Sequence, residues 1–227
     1  APRVGALASR VEAFPEPVVG EGLRRYVAWQ NALLTPADHR REAFVEAPLC
    51  HPATMLRAAA LAEVGGYREG DFPEDYELWL RLLTRGWELA KLPALHLRWR
   101  HHEGRATFAH AKYRPEAFPP LRARYLAPLL DDGAFVLWGA GRTGKALARA
   151  LEAEGRRPAY FLDVDPQKRE ARGRPVRPTE ALPAADASPF VVVAVGARGA
   201  RTTIREALVG RGFVEGWPGS GGFLFAS

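Results

Sequence analysis

The feature that most restricts the fold of this chain is a short apolar run that opens directly onto glycines. Phe135-Val136-Leu137-Trp138 reads as a buried strand, and Gly139-Ala140-Gly141-Arg142-Thr143-Gly144 follows at once. Ala146, Leu147, Ala150 and Leu151 then recur on one helical face. Tyr160-Phe161-Leu162 is a second strand, ending at Asp163; Phe190 to Val195 is a third, and Thr202 to Val209 a further helix. Strand, glycine turn, helix and strand make a βαβ unit, whose parallel strands require a right-handed crossover.

This pattern predicts a Rossmann-like domain over residues 129–227. Gly139 suits the tight turn, Gly141 the close approach of a phosphate, and Gly144 the packing of helix on strand. Backbone N–H groups at the helix start then face an anion. Asp163, 19 residues beyond Gly144, stands where a carboxylate accepts ribose hydroxyls. Gly139, Gly141, Gly144 and Asp163 are therefore the candidate cofactor-binding residues, for a nucleotide or nucleotide-sugar. The alternative is a regulatory or scaffolding domain whose glycines serve only the turn. Asp163-Val164-Asp165 also has the D-x-D spacing of a metal–diphosphate clamp, but its place after the second strand favours ribose binding or a turn.

The pattern changes near residue 130. Tyr113 to Pro128 holds four prolines, and Asp131-Asp132-Gly133 adds a turn signal. The boundary is expected between Leu126 and Ala134, giving domains 1–128 and 129–227. In the first, Val4 to Val11 reads as extended and Glu21 to Leu34 as a helix. Thr35-Pro36-Ala37-Asp38 resembles a capping box that opens a second, short helix. A third is expected from about Ala53 to Val64, ending at Gly65-Gly66. In the fourth, begun by Pro73 and ended by Gly86, Tyr76, Trp79, Leu80 and Leu83 share a face.

Composition excludes several classes. No apolar run approaches the roughly 18 residues that cross a bilayer, and Ala1 to Gly20 lacks the pattern of a secretion signal. The first residue is not Met. One cysteine, Cys50, cannot form an internal disulfide, which favours a reducing cytoplasm. The net charge of +6 is spread, with 18 basic and 15 acidic residues in 1–128 against 14 and 11 in 129–227. Without a basic stripe, a nucleic-acid partner is not expected; arginine sites for phosphates of small ligands fit better. No G-x-S-x-G elbow, Walker loop or paired-cysteine zinc motif is present.

Glu74 and Asp75 occupy the first turn of the fourth helix. They either complement the helix dipole or hold a carboxylate ionised beside a cleft, ready to take a proton from a hydroxyl. His51, His101 and His102 raise a similar choice. His101-His102 with Arg98, Arg100 and Arg105 has the charge to hold a metal-bound diphosphate, although spacing alone does not establish a ligand set.

Leu49-Cys50-His51-Pro52-Ala53-Thr54-Met55, Val64-Gly65-Gly66-Tyr67 and Pro73-Glu74-Asp75-Tyr76-Glu77-Leu78-Trp79-Leu80-Arg81-Leu82 form an ordered series. With Lys91-Leu92-Pro93 and Trp99-Arg100-His101-His102, they resemble the C-terminal half of family 2 glycosyltransferases of the GT-A fold, over about residues 1–110. The resemblance implies inverting transfer of a sugar from a nucleotide-sugar donor to a sugar or lipid-linked acceptor, with a divalent metal, Mg or Mn. It implies polysaccharide or glycoconjugate synthesis in the cytoplasm, peripherally at the inner membrane face. The family's base falls on Asp75, with Glu74 beside it, and its metal- or diphosphate-contacting histidine on His102, with His101 as the fallback. His51, Trp79 and Arg100 fall on the substrate side.

The chain departs from the family in lacking, before Ala1, the nucleotide-binding strands and metal-binding D-x-D. Leu95 stands where the Q-x-x-R-W motif of processive synthases has Gln, against a processive polymerase. The expected fold is thus α/β: a partial GT-A-type half, then a small Rossmann-like parallel-sheet domain. The second part resembles small nucleotide-sugar-binding domains of sugar-modifying enzymes, over about 134–217. Such a truncated half is expected to be inactive alone, and to cover its exposed apolar surface by forming a homodimer. Two alternatives stand beside it: a nucleotide-dependent enzyme or sensor centred on Gly139 to Asp163, and a noncatalytic assembly module.

Overall fold

The computed structural model describes residues 3–102, 104, 110–218 and 222–227, which belong to two compact units, 1–118 and 119–227. The first is built on β1 (Val4–Phe14), whose small, buried Ala6 and Ala8 let neighbouring elements approach closely. It pairs antiparallel with β2 (Thr54–Leu56) and parallel with β3 (Glu88–Arg100). Around this sheet run α1 (Glu21–Ala32), α2 (Pro36–Glu42), α3 (Ala58–Glu63) and α4 (Glu74–Thr84). The box at Thr35 is formed: Thr35 Oγ1 accepts the Asp38 N–H at 3.2 Å, and Asp38 Oδ2 accepts the Thr35 N–H at 2.9 Å.

One expected helix is shorter than its pattern. Thr54–Leu56, read as the first turn of a helix, instead supplies β2, because these residues complete the hydrogen bonding of the β1 edge. A 3₁₀ turn at His51–Ala53, with Pro52 at its start, leads into it. The end of α3 is as expected. Gly66 donates to Leu61 O at 2.9 Å, and both Gly65 and Gly66 have positive φ (+78° and +73°), which a side chain resists.

The proline-rich stretch forms α5 (Phe118–Leu126), and nearly all of it lies in the second unit, whose start at Pro119 precedes the expected boundary. Pro119 and Pro120 fall in its first turn, where the N–H groups have no intrahelical partner, so prolines cost little. Arg156 Nε donates to Ala127 O (3.1 Å) and Leu130 O (2.7 Å), fastening the residues after α5 to the sheet domain.

The sheet of this unit has the order β6 (Glu170–Ala171), β7 (Arg174–Pro178), β5 (Phe161–Asp163), β4 (Phe135–Trp138), β8 (Phe190–Val193), β10 (Gly222–Phe225), β9 (Val214–Glu215). All neighbours are parallel except the β6–β7 hairpin. The central strands are buried along their whole length, as continuous apolar runs in a parallel sheet require. Helix α6 (Arg142–Ala153) follows β4, and α7 (Ala200–Gly210) follows β8. Successive strands step to one side of β4 and then return to its other side at β8, so a crevice opens at the C-terminal ends of those two strands. Among the described residues, no helix is long and apolar enough to cross a membrane.

Candidate functional site

In the first unit, Pro73 opens α4 in extended conformation and places Glu74 and Asp75 in its first turn. Asp75 Oδ1 accepts the Tyr76 N–H at 2.8 Å. Burial raises the Asp75 carboxyl above its ordinary range; the Tyr76 bond and His51 oppose this, and the charge on Glu74 adds to it. His51, in the 3₁₀ turn, shares a 2.7 Å hydrogen bond between its Nε2 and Tyr67 Oη. Its ring lies 5.4 Å from that of Tyr67 and meets Trp79 edge-on at 6.2 Å. Burial and the charges of Asp75 and Glu74 push the Tyr67 hydroxyl up as well.

Tyr67 is held from below. Arg81 donates to Val64 O and, at 2.7 Å, to Gly66 O, so its guanidinium pins the left-handed turn that precedes Tyr67. Glu77 in turn orients Arg81 through a 2.8 Å ion pair on successive turns of α4. The structure thus gathers Asp75, His51 and Tyr67, with Trp79 beneath the imidazole.

Other expected members have different roles. Glu74 receives Lys112 Nζ at 2.8 Å and Tyr113 Oη at 3.0 Å on both oxygens. Burial would raise its carboxyl, yet these partners hold it below the ordinary value. Glu74 thus anchors Lys112 and Tyr113. Trp79 is 0% exposed and cannot touch a substrate; it supports His51 from the core. Arg100 is exposed at the end of β3, opposite Phe14 on the neighbouring strand.

His102 lies just beyond β3, and the His101 N–H donates to Phe14 O at 2.7 Å. Among the described residues, no three of His, Cys, Asp or Glu come together as a metal site. Arg105 lies outside the described residues. Tyr67 ends the Val64-Gly65-Gly66-Tyr67 motif, which assigns it no role, and Lys112 and Tyr113 carry no local signal.

In the second unit a cleft of about 950 Å³ occupies the crevice between the ends of β4 and β8. The three glycines of its turn divide into two kinds. A Cβ on Gly139 would stand 2.6 Å from Ala194 O, and that residue has φ +116°; a Cβ on Gly144 would collide with Gly139 O. Gly141 differs, because a Cβ there would meet nothing within 4 Å. Gly139 and Gly144 thus build the turn, whereas Gly141 leaves open space beside the cleft.

Asp163 lines this cleft but is 9% exposed. Ala140 N–H donates to its Oδ2 (2.7 Å), Asp165 N–H to its Oδ1 (2.9 Å), and Lys168 Nζ lies 3.0 Å from both oxygens. Burial raises the Asp163 carboxyl, but these bonds hold it below the ordinary range. Both oxygens of the carboxylate thus already accept from within the protein. Asp165 Oδ1 accepts the Gln167 N–H at 3.0 Å, so the D-x-D spacing here builds a turn.

A stretch of 83 residues is 32% identical to the UDP-Gal:alpha-D-GlcNAc-diphosphoundecaprenol beta-1,3-galactosyltransferase of Escherichia coli. The chain is distantly related to a sugar transferase. The matched stretch covers 37% of this chain and 28% of that protein's length. No family model matches the chain, and no solved structure does. The α/β architecture is consistent with a glycosyltransferase-like fold.

Proposed function

We propose that the first unit is the acceptor-side half of an inverting, GT-A-type glycosyltransferase. It moves a sugar from a nucleotide-sugar donor to the hydroxyl of a sugar or lipid-linked acceptor, in polysaccharide or glycoconjugate synthesis. The observation that carries this reading is Asp75: a largely buried carboxylate at a helix start, raised by burial, beside the His51–Tyr67 pair. Inversion by direct displacement needs one base at the acceptor oxygen, and a raised pKa makes the carboxylate a better one. His51 and the exposed face of Tyr67, at 43%, are placed to orient the acceptor. The distant relative, by its name, transfers galactose to a lipid-diphosphate-linked sugar, which favours an acceptor of that class.

In a protein carrying both halves, Asp75→Asn should lower kcat by about 10²- to 10⁴-fold with little change in donor KM. Glu74→Gln should cost far less. A loss below about fivefold in Asp75→Asn would refute the assignment, since a general base contributes more than that. The 227-residue chain alone should transfer no sugar; measurable turnover would overturn the half-enzyme reading.

A second reading rests on the cleft: a Rossmann-like module that holds a nucleotide or nucleotide-sugar with its diphosphate beside Gly141 and Arg142. The location at a switch in strand order and the open space at Gly141 support it. A ligand of the folded state raises Tm by mass action, so UDP, UDP-glucose, dTDP-glucose, NAD and NADP should be titrated. A shift lost in Gly141→Val supports the reading, and no shift with any of them refutes it.

A further inference from the structure

We infer that the cleft of the second unit holds a nucleoside diphosphate by its phosphates and ignores the ribose 2′-hydroxyl, because Lys168 occupies the carboxylate that would read it. This deepens the nucleotide reading of the cleft and rests on it. An acid at the end of β5 is placed to accept ribose hydroxyls. A carboxylate offers roughly four lone-pair sites. On Asp163 the N–H groups of Ala140 and Asp165 take one on each oxygen, and Lys168 Nζ takes another on each. A ribose hydroxyl arriving as donor finds these sites filled. Glu180, after β7, also lines the cleft, but it is exposed and its Oε1 already accepts from Thr179 Oγ1 at 3.0 Å. An exposed carboxylate exchanges one hydrogen bond for another with water and discriminates weakly.

What the cleft offers a ligand is positive charge beside apolar walls. Lys168, Arg142, Arg198 and Arg211 all line it, against Asp163 and Glu180. Asp163 is paired with Lys168, whose ammonium also lies 3.8 Å from Asp165 Oδ2. Arg142 is exposed next to the open space at Gly141. Trp138, Val164 and Ile204 supply the apolar surface, with Val164 80% exposed. A multiply charged diphosphate suits the cations, since guanidinium and ammonium groups bind phosphate oxygens through charge-assisted bonds. The planar base suits the apolar side.

The test is calorimetric titration of the whole chain with ADP, 2′-deoxy-ADP, UDP and 2′-deoxy-UDP, repeated on Lys168→Ala and Gly141→Val. Ribo and deoxyribo forms should bind the natural chain within about twofold of each other, whereas a carboxylate reading the hydroxyl would separate them on the order of tenfold or more. Lys168→Ala should weaken binding of all four, yet open Asp163 and separate each ribo–deoxyribo pair by on the order of fivefold or more. Circular dichroism checks that both variants are folded. A tenfold preference for the ribo form in the natural chain overturns the inference and leaves the nucleotide reading intact. Equal binding of the pair in Lys168→Ala overturns the masking role of Lys168. If no nucleotide binds, or if Gly141→Val binds as the natural chain does, the nucleotide reading falls and this inference with it.

Discussion

Replacing Arg81 with Met tests how the first unit holds its site together. Glu77 is 0% exposed and Arg81 3%, and three contacts of 2.8 to 3.2 Å join them. The substitution also removes the donors to Val64 O and Gly66 O. It leaves a buried carboxylate that has the exposed Arg68 3.7 Å away. Breaking a buried pair costs about 3–5 kcal/mol, and an exposed pair offsets at most about 1 kcal/mol. The net loss is about 3 kcal/mol, which at a urea slope of about 2 kcal/mol/M lowers the midpoint by about 1.5 M. Tryptophan fluorescence follows this transition, fitted separately for the two units because a chain of two units need not unfold in one step. Glu77→Leu should cost a similar amount, but the double variant should lose at least about 2 kcal/mol less than the sum, because neither charge is then stranded. A midpoint shift below about 0.5 M in Arg81→Met, or additivity in the double variant, would refute the reasoning.

Three further outcomes follow from the same geometry. Asp75→Asn should raise the Tm at pH 7, because the folded state favours the protonated carboxyl; the gain should fade as pH falls below the unfolded carboxyl's range, and an unchanged Tm at pH 7 would count against it. His39 is buried with no hydrogen-bond partner on either ring nitrogen among the described residues, and desolvation, then Lys91, lower its pKa to about 3. The unfolded chain therefore binds the extra proton below its own value near 6.5, so stability should fall by about 1.4 kcal/mol per pH unit towards that lower value. His39→Leu should flatten this slope in urea midpoints taken from pH 7 to 4, and parallel slopes would sink the idea. Gly144→Ala should unfold or strongly destabilise the second unit through its collision with Gly139 O, while Gly141→Ala should leave its Tm nearly unchanged; equal effects would contradict the division of the glycines.

What was legible in the sequence was contiguous. Phe135–Trp138, the glycine turn and α6 are neighbours in the chain, and the sequence pattern placed them in order. Where the partner was distant, the pattern misled. Thr54–Leu56 has no local strand signal long enough to read, and its pairing with Ala6–Ala8 decided its state. The prolines before Leu121 punctuate a chain in general, but the first turn of a helix has no N–H to lose there. The same distinction separates the site's members. Asp75 and His51 were nominated by local motifs, and the fold brings them to one place. The roles of Glu74 and Asp163 depended on partners that no motif contained. Lys112 and Tyr113 reach Glu74 from almost forty residues away, and Lys168 covers Asp163 from the next turn. Trp79 shows the converse, since the periodicity that put it on the apolar face of α4 already argued that it would be buried. A carboxylate's place can therefore be read from a motif, whereas its remaining capacity to accept a ligand depends on which donors the rest of the fold delivers to it.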